Sequence, residues 1–377
     1  MFSSRFHWDF RPNRVTELLA QKRRAGARVL DLTESNPTRA ELVYPPEIVH
    51  AFDDPRMLCY EPSPAGMDEA RAAVAAYYAR RGRRIGADRI LLTASTSEGY
   101  AYLFKLLANP GDHVLVPRPS YPLFEFLATM ENVEVRQYPL LYHGEWSIDV
   151  DAVRSMIDSR TRAIVLVYPN NPTGSFASGG EIRELSELGM PLISDEVFAD
   201  YSFSGSFETL VDADAPLAFS MSGLSKVAGL PQMKLGWIVV SGPRRREAME
   251  RLEWIADTYL SVGTPVQCAA VRLLDAGESV MRQIRERCAA NLAHAREALA
   301  GSVADILDVR GGWYVVVKVP RVRSEEEWVL ELLEGKDVLT QPGFFYDFES
   351  EAYLVLSLLT PPRMFQEGVG RLRGMLA

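Results

Sequence analysis

The sequence predicts an α/β protein: a mostly parallel sheet with helices on both faces, followed by a smaller α+β domain. Two observations carry this reading. Between about residues 89 and 240, continuous apolar runs alternate with helix-sized segments, the pattern of strands buried on both faces. The unusual polar residues fall directly after those runs, at the strand ends where open parallel sheets place ligands. At 377 residues with 47% hydrophobic content, two domains are expected rather than one.

Taken in order, the chain opens with an aromatic arm (Phe2, Phe6, Trp8, Phe10), expected to pack on a second subunit or on its own domain. A helix bearing Val15, Leu18 and Leu19 on one face follows. Leu30-Asp31-Leu32 then runs as a short strand into the turn Thr33-Glu34-Ser35-Asn36-Pro37. A helix is predicted from Asp68 to Arg81, with Val74 and Tyr77 inward and Gly82 past its end.

Strands are then predicted at 89–93, 113–116, 133–135, 163–167, 191–194, 217–219 and 236–240. The run Leu217-Ala218-Phe219 reads as a strand that stops where Ser220 to Ser225 begin. After Val240 come long helices, then short strands at 306–309, 313–319, 338–340 and 353–358. A last helix starts at Pro361-Pro362, with Thr360 as N-cap.

Composition excludes several classes of function. The net charge is -9, with no basic stripe carrying interleaved aromatics, so nucleic acid is not an expected partner. Cys59, Cys268 and Cys288 are odd in number and far apart, which argues against disulfides and a Cys-x-x-Cys metal site. The five histidines show no metal-ligand spacing. Arg5, Asp9, Arg11 and Arg14 interrupt any signal-peptide core, and no apolar run is long enough to span a bilayer. A soluble, cytoplasmic protein is the expectation.

The chemistry centres on Lys226, a lysine after small residues at a strand end. Desolvation there would free its amine for nucleophilic work, including a Schiff base. Ser95-Thr96-Ser97 opens a helix and offers hydroxyls and N–H groups to a phosphate, or simply an N-cap. Tyr121 could stack on a flat ring, Asp195 could hold a protonated ring nitrogen, and Asn171 could bond a phenolic oxygen. Together with the lysine, this set fits pyridoxal phosphate.

The ordered motifs YEPSPAG (60–66), LTASTSEGY (92–100), PRPSYP (117–122), YPNNPTG (168–174), ISDEVF (193–198) and SGLSKVAGLPQMKLGW (222–237) resemble those of the class I/II aminotransferases. The resemblance covers nearly the whole chain. It implies the fold-type I architecture, with a seven-stranded, mostly parallel sheet. It also implies an arm over residues 1–45 joining the small domain, a large cofactor-binding domain over 46–260 and a small domain over 261–377. By the same resemblance Lys226 forms the aldimine, Asp195 meets the ring nitrogen, Asn171 meets the phenolate oxygen, and Tyr121 stacks. Ser95, Thr96, Ser97, Ser222 and Lys234 lie at the phosphate, and Tyr60 reaches the phosphate of a neighbouring subunit in a homodimer. The implied reaction moves an amino group from a small-molecule amino donor to a keto acceptor. A lyase of the same fold and a non-catalytic cofactor-binding protein are the alternatives.

The chain departs from the family pattern at several positions. Phe198 stands where a Tyr is usual, which predicts that the internal aldimine holds its proton to higher pH. Lys234 replaces an Arg, and Gln232 a Gly. Val355 stands where an Arg usually clamps the substrate carboxylate. Ser35 falls near the substrate, and Arg39, Arg363 or Arg5 could supply a substitute cation, with Arg39 favoured. The aromatics Tyr314, Phe344, Phe345 and Tyr346 are either core or a hint of an apolar substrate.

Overall fold

The computed structural model describes residues 2–5, 8 and 11–376. The first helix, α1 (Arg14–Arg24), starts at Asn13, whose side chain accepts from Thr16 N at 2.8 Å. Strand β1 (Leu30–Asp31) follows, then α2 (Glu47–His50) and α3 (Asp68–Arg80). Val74, Tyr77 and Tyr78 of α3 are buried, as the sequence pattern requires for the first two.

The large sheet takes β2 (Ile90–Thr93), β3 (His113–Arg118), β4 (Glu134–Tyr142), β5 (Trp146–Ile148), β6 (Thr161–Val167), β7 (Leu192–Asp195), β8 (Ala218–Gly223) and β9 (Gly236–Ser241). Its eight strands are ordered β2-β9-β8-β7-β6-β3-β4-β5. β4, β3, β6, β7 and β8 are parallel, and β9 runs against both β8 and β2. The seven expected strands are all present. The eighth, β5, is an antiparallel addition to β4 across a turn at Gly144, whose φ of 88° suits glycine.

Between these strands lie α4 (Thr96–Leu107), α5 (Phe124–Met130), α6 (Val150–Met156), α7 (Gly179–Glu187) and α8 (Leu224–Val227). Next come α9 (Arg245–Tyr259) and α10 (Thr264–Leu299), a single helix of 36 residues. One buried cluster, with Leu91, Leu103, Val116 and Phe219, packs with α4, α5 and α9. Clusters containing Tyr77, Trp237 and Leu273, and Leu115, Ile164 and Leu185, involve α3, α10 and α7. Residues alternating along the strands enter different clusters, so helices cover both faces.

β8 runs longer than the apolar run Leu217-Ala218-Phe219. It continues through Ser220, Met221, Ser222 and Gly223, all buried. Pairing with β7 and β9 on both sides decides its length, and small residues suit that crowded centre.

The C-terminal part holds β10 (Asp305–Ile306), β11 (Tyr314–Lys318), α11 (Glu325–Lys336), β12 (Val338–Leu339), β13 (Gln341–Pro342), β14 (Tyr353–Ser357) and α12 (Pro362–Leu376). Four of its strands form an antiparallel sheet, β10-β11-β14-β13. β12 instead pairs in parallel with β1, joining the N-terminal segment to this part. Lys22 reinforces the join, with Nζ 2.6 Å from Asp337 Oδ1. Thr360 does not spend its hydroxyl on a cap; Oγ1 donates to the Asp31 carbonyl at 3.4 Å. Of the aromatic arm, Trp8 meets Phe126 of α5 edge-on at 4.7 Å and Phe2 is exposed. Phe6 and Phe10 lie outside the described residues.

A buried ion pair anchors the turn that follows β7. Arg81 Nε lies 2.5 Å from Asp200 Oδ1, and the Tyr77 hydroxyl donates to Asp200 Oδ2 at 2.6 Å. Arg285 donates to the Asp200 carbonyl from α10. Replacing Arg81 with methionine leaves a buried carboxylate without its cation. Denaturant unfolding of Arg81→Met is therefore expected to show a loss of about 3–5 kcal/mol; an unchanged midpoint would contradict this account of the turn.

Candidate active site

The sheet brings the expected residues to one edge. β2, β3, β6, β7 and β8 point the same way, so the turns after them share that edge. β9 runs the other way and starts there, which adds Lys234 and Gly236.

Asp195 ends β7 and is buried. Its Oδ2 accepts from the Tyr100 hydroxyl and its Oδ1 from the Val197 amide, each at 3.2 Å. Burial pushes its carboxyl up to about 6, against the lowering effect of those two donors and of Lys226. Lys226 sits in α8, directly after β8. Burial pushes its ammonium down to about 8, with the Asp195 charge opposing. Its Nζ lies 4.8 Å from the Trp313 ring centroid and 5.7 Å from that of Phe198. The Tyr201 hydroxyl donates to the Lys226 carbonyl at 2.5 Å, fixing the backbone under the side chain. Phe198, buried and edge-on to Trp313 at 5.2 Å, is therefore an apolar wall beside the amine.

The two asparagines after β6 differ. Asn170 is fully engaged: its Nδ2 donates to Pro119 O and Thr173 Oγ1, and its Oδ1 accepts from Ser120 Oγ. Asn171 is buried with Oδ1 unpartnered, an amide held in reserve at the strand end. Tyr121, after β3, is half-exposed. Its phenol is raised first by burial and then by the Asp195 charge.

Ser95 caps α4, its Oγ accepting from Glu98 N at 3.2 Å. Its hydroxyl thus serves the ordinary capping role, while Thr96 and Ser97 form the half-buried first turn of a 12-residue helix. Ser222 lies across the sheet. Gly236 sits between them: a Cβ there would lie 3.0 Å from Thr93 Oγ1, 3.1 Å from the Ser95 carbonyl carbon and 3.2 Å from Ser222 O. The missing side chain lets the start of α4 and the end of β8 close on one point. Lys234, exposed and with φ of 53°, stands two residues before. Tyr60 is 75% exposed in the loop before α3, facing away from its own chain's interior.

The substrate-side candidates are placed unevenly. Tyr314 is partly buried, and Ser357 Oγ donates to the carbonyl of Glu34, the residue before Ser35, at 2.6 Å. Arg39 and Arg363 are exposed. Arg5 donates to the Met130 carbonyl at 2.9 Å and lines, with Tyr121 and Asp347, a surface groove of about 830 Å³. Val355 is fully buried with Trp146, Leu307, Val316 and Tyr346. The aromatics divide accordingly: Tyr346 and Phe345 belong to this cluster, and Phe344 is exposed.

Two residues that the sequence reading did not single out complete the site. Tyr100 and Trp313 touch Asp195 and Lys226 from 95 positions upstream and from the C-terminal part respectively. A tyrosine on an otherwise apolar buried helix face was the one available signal for Tyr100, because a buried hydroxyl requires a partner.

The family described as "Aminotransferase class I and II" matches residues 27–371. The chain is 26% identical over 331 residues to the glutamate-pyruvate aminotransferase of Haemophilus influenzae, covering 83% of this chain and 81% of that protein. It is 31% identical over 213 residues to nicotianamine aminotransferase 1 of Oryza sativa subsp. japonica, covering 55% of this chain and only 43% of that protein. Among solved structures, the alanine aminotransferase from Pyrococcus furiosus superposes with a TM-score of 0.88 at 25% identity, covering 100% of this chain and 99% of that one. No helix among the described residues is long and apolar enough to cross a membrane.

The surroundings of Lys226 predict a measurable titration. Its amine should change protonation near pH 8 rather than at the ordinary 10.5, because burial disfavours the cation. Reductive methylation with ¹³C-formaldehyde and NMR titration would read this directly, with Lys226→Arg assigning the resonance. A midpoint above 10 contradicts the described burial.

Proposed function

The chain belongs to the class I and II aminotransferases, a pyridoxal-phosphate-dependent family of transferases of nitrogenous groups, and we propose that Lys226, Asp195 and Asn171 are its working residues. The observation that carries this is a desolvated amine and a buried carboxylate at the ends of adjacent parallel strands, beside an amide with an unpartnered oxygen. The residues present fit the cofactor. Asn171 has a buried side-chain oxygen without a partner, and Gly236 leaves open a cradle that a Cβ would fill.

In this reading Asp195 pairs with the ring nitrogen, Asn171 donates to the ring oxygen, and Tyr121 lies against the ring. Ser95, Thr96, Ser97 and Ser222, with the first N–H groups of α4 and the Lys234 charge, hold the phosphate. Bound pyridoxal phosphate supplies an aldehyde that condenses with amines and a cationic ring that accepts the electron pair released at the substrate α-carbon. Lys226 does the proton work. With its ammonium lowered to about 8, a useful fraction is free base at neutral pH, able to take a proton from the α-carbon and return it elsewhere. Trp313 and Phe198 keep water from that amine, which disfavours the ammonium and leaves more of the free base at neutral pH.

Aminotransferase substrates are amino and keto acids. For this chain the substrate residue we favour is Ser35, next to the Glu34 carbonyl that Ser357 holds. Arg39 and Arg363 are less well supported, since both face solvent. Homodimers are typical of the family, and we propose one here, with Tyr60 reaching the partner's phosphate site. The exposed apolar side chains Leu58, Tyr60, Val49 and Trp254 support that assignment. The same reading divides the chain into 1–45, 46–260 and 261–377, supported by the β1–β12 pairing.

The test is stopped-flow absorbance of the cofactor-loaded protein against a panel of amino acids and amines. Conversion of the cofactor to its amine form by particular donors, reversed by keto acids, is the expected result. Lys226→Ala should lower the rate by roughly 10²–10⁴-fold. Elimination products would point to a lyase. A cofactor spectrum that no amine perturbs would point to a non-catalytic protein.

A further inference from the structure

Helix α4 touches the site twice. Its first turn lies beside the Gly236 cradle, and its Tyr100 reaches β7, where the hydroxyl donates to Asp195 Oδ2 at 3.2 Å. Tyr100 is 3% exposed. Its ring is fixed by Phe124, edge-on at 5.4 Å, and by Phe104 at 5.9 Å. The preceding residue, Gly99, lies so close to β8 that an added Cβ would stand 2.9 Å from Met221 Sδ. The hydroxyl is therefore carried by a helix seated directly on β8, the strand that leads into Lys226, and reaches Asp195 at the end of β7.

Resting on the cofactor site proposed above, we propose that Tyr100 is a positioning residue: its hydroxyl fixes the Asp195 carboxylate in the orientation that meets the ring nitrogen of pyridoxal phosphate. The two donors divide the carboxylate between them, Tyr100 on Oδ2 and the Val197 amide on Oδ1, so rotation of the group breaks both hydrogen bonds. One helix thus sets the distance between the phosphate cradle and the ring carboxylate.

Tyr100 also acts on charge. A hydrogen bond donated to the ionised carboxylate favours that form, against a burial that disfavours it. The ionisable groups facing Asp195 are Tyr100, Tyr121 and Lys226, and those facing Tyr100 are Asp195, Tyr121 and Tyr138. All three phenols are raised by burial and remain donors through neutral pH. Glu196, the next residue, is raised to about 7 by burial, but its carboxylate is committed to Thr209 and Leu210 N. Removing the Tyr100 hydroxyl leaves Asp195 with one side-chain donor fewer and shifts it towards the neutral acid, which cannot pair with a cationic ring nitrogen.

The experiment uses Tyr100→Phe in the full chain, which keeps the ring packed on Phe104 and Phe124. Affinity for pyridoxal phosphate is titrated by absorbance from pH 5.5 to 8.5 for the wild type and the variant, with thermal unfolding of the cofactor-free proteins alongside. The variant is expected to bind at least about tenfold more weakly near neutrality, the scale of a lost hydrogen bond to a charged group. The acid limb of its affinity profile should move to higher pH, a shift that a loss of packing alone would not produce. In an Asp195→Asn background the same substitution should cost much less, because Tyr100 acts through the carboxylate. A wild type and variant with the same affinity and the same acid limb overturn the role of Tyr100. So does an equal loss in the Asp195→Asn background, which also decides the case if the single variant folds poorly. A wild type that binds no pyridoxal phosphate at any pH overturns the cofactor site itself, and this inference with it.

Discussion

The structure depends on holding an amine and a carboxylate out of water at the ends of two neighbouring strands. Asp195 closes β7, and Lys226 follows β8. Burial drives each towards its neutral form, and their opposite charges pull each back. The balance leaves both within reach of neutral pH, the range in which a general base and a ring-nitrogen partner are useful. Neither group could sit there on a flexible loop. Asp195 is held by the β6–β7–β8 ladder and two donors, and Lys226 by Tyr201 below and Trp313 above.

The surrounding architecture serves that placement. Parallel strands bring their carboxyl ends to one edge, and the reversal of β9 adds Gly236 and Lys234 there. The turn after Asp195 is fastened by the Arg81–Asp200 ion pair and by Arg285 from α10. The C-terminal sheet contributes Trp313, just before β11, and an apolar cluster of Val355, Val316 and Tyr346 against which Tyr314 packs. Chemistry drawn from distant segments is thus fixed by one continuous packing arrangement.

Most of the sheet was legible in the sequence because its strands are buried on both faces and read as unbroken apolar runs. The motif residues were legible for the same reason, since each follows such a run. The C-terminal half of β8 was not legible, because Ser220, Ser222 and Gly223 break the apolar pattern while the ladders on both sides keep the strand going. β5 escaped notice as a short addition at the sheet's edge. Tyr100 and Trp313 were hidden by distance along the chain: nothing local in LTASTSEGY announces a partner 95 residues away. Ser95 shows the reverse case, where the capping reading from local sequence holds in the structure, its Oγ accepting from Glu98 N.

The most direct test of the account is to load the protein with pyridoxal phosphate, reduce it with borohydride, digest it and locate the phosphopyridoxyl group by mass spectrometry. The account predicts one modified residue, Lys226, the lysine whose amine is desolvated beside Asp195. Modification at Lys234 or another exposed lysine with Lys226 untouched, or no modification at all, would contradict it.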